Sequence, residues 1–144
     1  MNKDSYTLFS PEENIYYFES KGANGVIIKA VFFNEYEPNV YNMALMDYDI
    51  ALDQYSDMSS SNNGDMGKVL TTVSEIVHDY LQHNQRHIVY FEGNTALKNK
   101  LFNRIIKNNY DFFVKFYEIR GKKGDSQEFY SSDCQYDGFY IYKK

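Results

Sequence analysis

The chain has 144 residues, a net charge of −5 and an aromatic content of 18 %, with 15 Tyr, 11 Phe and no Trp. That length suits one domain with a sizeable core. The acidic balance disfavours general nucleic-acid binding, because a phosphate backbone would meet a negative protein. The single cysteine, Cys134, excludes an intramolecular disulfide and fits a reducing compartment. The first residues lack a signal peptide's basic-then-apolar layout, and no apolar run approaches the length of a membrane span. The expectation is a soluble, cytoplasmic protein.

Residues 1–13 read as a flexible arm, and 14–144 as a single α+β domain. Asn14–Ser20 is aromatic and predicts a strand. Gly22-Ala23-Asn24-Gly25 carries an Asn-Gly pair, the strongest short hairpin signal. Val26–Phe33 then predicts a second strand and Val40–Asp49 a third. Gln54–Asn63 reads as a polar loop.

A helix is predicted from about Met66 to His83. Val69, Leu70, Val73, Ile76, Val77, Tyr80 and Leu81 recur there at spacings of three and four. Ile88–Phe91 predicts a short buried strand. A second helix is predicted from Thr95 to Asn108, with Leu97, Leu101, Ile105 and Ile106 inward. Asp111–Arg120 reads as an aromatic strand, Gly121–Gly124 as a turn, and Glu128–Ser131 and Gly138–Tyr142 as closing strands. The order β-β-β-α-β-α-β-β, with two helices on a mostly antiparallel mixed sheet, is an α+β pattern. It resembles the central and C-terminal part of the Gcn5-related acetyltransferase fold.

Two turns stand out as candidate anion sites, because a helix start is a cluster of free N–H groups with partial positive charge. The first is Asn63-Gly64-Asp65, with Lys68 one turn on. In acetyltransferases of the resembled fold a glycine loop at this place holds the pyrophosphate of acetyl-CoA through backbone N–H groups. Ser61-Asn62-Asn63-Gly64-Asp65-Met66 takes that place here and matches at one glycine. The competing reading is structural: Asp65 caps the helix and Asn63-Gly64 makes the turn. The second turn is Gly93-Asn94-Thr95, followed by Lys98, Lys100 and Arg104 with no acidic residue from Gly93 to Tyr110. Asn94 or Thr95 can cap the helix. A solvated basic face is the alternative to an anion site.

Charge is uneven along the chain. Residues 30–67 hold seven acidic and no basic side chains, whereas 68–144 hold twelve basic and nine acidic. The acidic part favours cations or basic partners. Asp47 and Asp49 share a strand face, which reads as a solvated acidic surface. His78, His83 and His87 lack zinc-ligand spacing, and no metal site is expected.

Several segments together resemble a family of small bacterial proteins, a domain of unknown function of about this length. They are Ser20-Lys21-Gly22, Gly25-Val26-Ile27-Ile28-Lys29, Tyr41-Asn42-Met43-Ala44-Leu45, Ser61–Asp65 with Lys68–Val73, and Gly93–Phe102. Relatives often read Gly-Ser-Thr-x-x-Arg-Thr-Arg-Leu-Tyr at the last. Here Asn94, Lys98, Lys100 and Phe102 replace the Ser, both Arg and the Tyr. Two functions follow as expectations. One is a non-catalytic protein-interaction or regulatory module, with a protein partner or a second copy. The other is a ligand-binding protein or acyltransferase-like enzyme that takes a phosphate-bearing cofactor, CoA or a nucleotide, at the Gly64 and Gly93 turns.

Overall fold

A computed structural model describes residues 5–57, 63–93 and 95–144. The Asn-Gly signal forms a hairpin. Gly25, at φ 83°, supplies the left-handed backbone between β2 (Ile15–Gly22) and β3 (Gly25–Glu37). β4 (Val40–Asp49) returns antiparallel to β3, and Asn39, at φ 67°, makes the connection. Two short strands are additions to the sequence reading. β1 (Phe9–Glu12) pairs with β2, and β5 (Gln54–Asp57) pairs with the end of β4. β5 occupies part of the segment read as loop. Its partner strand leaves an open edge there, and short polar stretches become strand when such an edge is offered.

α1 (Met66–His83) follows β5 and leads into β6 (Ile88–Glu92), which runs parallel to β4 over Val40–Asn42. α2 (Ala96–Phe113) runs five residues past its predicted end. The aromatic run Asp111–Arg120 is therefore divided between the end of α2 and β7 (Tyr117–Lys123). Phe102, Ile106 and Phe113 keep the helical stripe going, and the Asn109 amide donates back to the Ile105 carbonyl. Gly121 lies inside β7, not in a turn. It is glycine because the buried Tyr136 ring lies where a Cβ would be. β8 (Ser126–Phe129) and β9 (Gly138–Lys143) complete an α+β fold. The strand order is β1-β2-β3-β4-β6-β9-β7-β8, with β5 beside β4.

The sheet has two different faces. Pairing places Tyr16, Phe18, Val31, Phe33, Met43, Leu45, Val89, Phe91, Phe139, Ile141 and Ile119 on one side. All of them are buried in one core with the apolar stripes of α1 and α2. Phe33 stacks on Tyr80 of α1 at 3.9 Å between ring centroids. The alternate residues, among them Tyr17, Phe32, Tyr48, Tyr90 and Tyr140, point to the side that carries no helix among the described residues. No described helix is long and apolar enough to cross a membrane.

Residues 5–12 lie along the body. The Tyr6 N–H donates to Thr72 Oγ1 of α1 at 2.9 Å, and the Tyr6 ring stacks on Phe18. Gly121→Ala is expected to destabilise the protein by about 1–3 kcal/mol, since the new methyl collides with the Tyr136 ring. Urea unfolding of the two proteins measures it.

Candidate functional site

Four places carry chemistry: the two helix starts, a buried ion pair and the helix-free sheet face.

At the first helix start, Gly64 adopts φ 77° and turns the chain into α1. Asn63 is buried, and its amide works across the strands. Nδ2 donates to the Gly25 carbonyl at 2.9 Å and is shared between Ser20 Oγ and the Ser20 carbonyl. Oδ1 accepts from the Asn24 N–H at 2.6 Å, and the Asn63 carbonyl accepts from the Ala23 N–H. A Cβ at residue 22 would collide with that carbonyl, which explains Gly22. The motifs Ser20-Lys21-Gly22 and Asn63-Gly64-Asp65, far apart in sequence, thus meet.

Asp65 stands at the N-cap position but makes no capping bond with its side chain, contrary to expectation. Its Oδ2 instead accepts from the Tyr6 and Ser20 hydroxyls, each at 2.6 Å. Two O–H donors at that distance form short charge-assisted bonds and hold the carboxylate away from the helix axis. Burial, and then Asp65, raises the Tyr6 hydroxyl above its ordinary range. Lys68 is exposed, with its Nζ 4.3 Å from the Tyr6 ring centroid. It lines a cleft of about 420 Å³ together with Lys21, Glu19 and Tyr6.

At the second start, Thr95 is the cap, its Oγ1 accepting from the Lys98 N–H at 3.1 Å. Asn94 lies outside the described residues. Gly93 permits the backbone of Asn99 to approach where a Cβ would clash. Lys98 is half-buried, and Lys100 and Arg104 are exposed. Neighbouring Asn103 bonds inward, to the Asn99 and Tyr136 carbonyls and to the Tyr136 N–H. Of the predicted site residues that are described, Lys68 alone lines any of four clefts of about 280–470 Å³. The Gly64 and Gly93 turns share none of them.

The buried ion pair is a residue pair that the sequence reading missed. Lys29 Nζ lies 2.7 Å from Asp47 Oδ1, and their side chains are 3 % and 11 % exposed. Asp47 is therefore a buried partner of Lys29 and not part of a solvated surface. The available signal was a single lysine in Val26-Ile-Ile-Lys-Ala-Val-Phe-Phe33, in phase with Val31 and Phe33. Among the described residues no three His, Cys, Asp or Glu side chains are placed to hold a metal.

On the helix-free face the aromatics form two groups. Tyr48 and Phe32 pack on Tyr55 with centroids 4.8 and 5.0 Å away, and the Tyr17 and Tyr55 hydroxyls are 2.9 Å apart. That bond is the main reason the Tyr55 hydroxyl is pushed up to about 12. Tyr48 donates to Asp53 Oδ1 at 2.8 Å. In the second group Tyr90 lies between Tyr36 and Tyr140. Its hydroxyl donates to Glu92, which also takes Lys122 Nζ at 3.1 Å. The Tyr90 bond, and then Lys122, holds the Glu92 carboxyl below its usual range.

The chain belongs to the family DUF6934, a family of unknown function, whose model matches residues 2–144. No curated protein and no solved structure matches it significantly.

Two outcomes follow from the buried groups. Lys29→Ala leaves Asp47 buried beside an apolar side chain and is expected to destabilise by about 3–5 kcal/mol, read by urea unfolding. His78 shares a 2.6 Å hydrogen bond with the Tyr117 hydroxyl, and its pKa is lowered chiefly by burial. The unfolded chain therefore takes up a proton at the ordinary value near 6.5, while the folded chain takes it up only at lower pH. Stability is expected to fall as pH drops from about 7 to about 5, and His78→Gln to flatten that slope of melting temperature against pH.

Proposed function

We propose that this chain is a non-catalytic protein-interaction or regulatory module, and that partners dock on its helix-free sheet face. The observation that carries this reading is the aromatic surface on that face. Tyr36 and Tyr55 are 65 % and 40 % exposed, and each packs on further tyrosines instead of under a helix. Tyrosine suits contact surfaces, because a large rigid ring ends in a group that hydrogen-bonds either water or a partner. The side chains of Asn63 and Asp65 support the same reading, since their bonds run to β2, the β2–β3 turn and Tyr6. The single thiol, Cys134, suits a cytoplasmic setting. An acetyltransferase-like framework is supported by the parallel β4–β6 pair joined through α1.

The second reading keeps a phosphate-bearing cofactor, CoA or a nucleotide, at the Gly64 and Gly93 turns. One observation favours it: Lys68 and Lys21 share a cleft beside the start of α1.

A thermal-shift panel of acetyl-CoA, CoA, ATP, NAD and inorganic phosphate separates the two. The interaction reading expects no shift with any of them. A cofactor at one hundred times its Kd would add about 2.7 kcal/mol of stability. A raised melting temperature that is lost in Lys21→Ala/Lys68→Ala or Lys98→Ala/Lys100→Ala would overturn the interaction reading. In parallel, cross-linking in intact cells is expected to join the wild-type chain to other proteins, and Tyr55→Asp to lose those products while still folded. Equal products from both proteins would remove the helix-free face from the account.

A further inference from the structure

We infer that the end of the sheet formed by β3, β4 and β5 is a docking cleft for a basic, partly apolar segment of a partner protein. This rests on the interaction reading above and names the chemistry of the partner.

Regular pairing of β3 with β4 stops at Ile28–Tyr48, and β4 then turns away into its hairpin with β5. The gap is a cleft of about 470 Å³, walled by Val26, Ile27, Ile28, Ile50 and Ala51. Val26 and Ile50 are 60 % and 67 % exposed, and Leu52, two residues on, is 64 % exposed. Aliphatic side chains grouped on one cleft, and left in water, mark a contact surface more than scattered ones do.

The charge around this cleft is one-sided. Asp49 lines it and Asp53 stands in the adjoining turn, while Asp47, which also lines it, is already paired with Lys29. Sequence positions 30–67 supply no lysine or arginine. Lys29 is buried against Asp47, and the cation on the adjacent strand is Lys21, paired in register with Val26. Tyr48 lines the cleft and packs on Tyr55, and aromatic faces attract a lysine or arginine head group. Lysine and arginine also fit the walls, since their methylene stems pack on apolar surface while the charge reaches the carboxylates. A Glu- or Asp-rich segment would meet like charge at the same place.

The test uses the full chain and two short synthetic peptides of equal apolar content, one bearing Lys and Arg and the other Glu. Calorimetry gives affinity, and amide chemical shifts of labelled protein give the location. The basic peptide is expected to bind, to shift amides of residues 26–28 and 47–56, and to weaken as salt is raised. The acidic peptide is expected not to bind. Asp49→Asn/Asp53→Asn should weaken the basic peptide by about tenfold. These changes preserve the turn: asparagine tolerates the φ of 49° at residue 53, and its oxygen still accepts the Tyr48 hydroxyl. Ile50→Ser, on an exposed wall, should weaken it independently.

Failure of the basic peptide to bind, undiminished binding in the Asn variants, or shifts confined to other residues would overturn the inference. So would a self-association that the Asn variants disperse, since the occupant would then be a second copy. If Tyr55→Asp abolishes cellular cross-links while the basic peptide does not bind, the interaction reading stands and this cleft is not its site.

Discussion

The amide of Asn63 decides where the first helix begins and what it is fastened to. Its donors and acceptor take up backbone groups of the β2–β3 hairpin: the Ser20 and Gly25 carbonyls and the Asn24 N–H. Asp65, two residues on, adds bonds to Ser20 and Tyr6, and Tyr6 in turn reaches Thr72 about two turns further along α1. A buried polar cluster of this kind is stable only when its members are satisfied. It therefore sets the position of α1 on the sheet more narrowly than apolar packing alone would.

With α1 fixed, the rest of one sheet face follows. β6 lies parallel to the start of β4, α2 packs beside α1, and their apolar stripes close a single core. Because both helices cover that one face, the other retains its tyrosines in contact with water and with each other. The Lys29–Asp47 pair sits at the border of these two regimes. It belongs to the covered face, yet Asp47 also walls the cleft at the sheet's end. Aromatic surface and uneven charge thus meet at one end of the molecule, beside the proposed docking cleft.

The sequence made the larger elements legible for identifiable reasons. The spacing from Val69 to Leu81 is helical over several turns, and Asn24-Gly25 admits little besides a tight hairpin. The shorter elements were not legible. β1 and β5 exist because neighbouring strands offer them an edge, which no local pattern records. The run after Asp111 was misread because Phe112, Phe113, Phe116 and Tyr117 satisfy a strand as readily as a helix, and only packing in the core divides them. Asn63-Gly64-Asp65 was correctly placed at a helix start, but its partners, Ser20, Asn24 and Tyr6, lie some forty to sixty positions away. A separation of 18 positions, across the β3–β4 hairpin, hid Asp47 from Lys29. Local chemistry showed which residues matter there, and the fold supplied what they touch.

The most direct test of this account is amide hydrogen exchange on the wild-type chain and on Asn63→Ala. Exchange reports local opening one N–H at a time. If the Asn63 amide fastens α1 to the hairpin, the substitution speeds exchange together at Ala23 and Asn24 of the turn and at Val69 in the first turn of α1, while β6 and β9 keep their protection. Faster exchange at Asn24 alone, with Val69 unchanged, would show that the helix start is held by other contacts and would contradict the account.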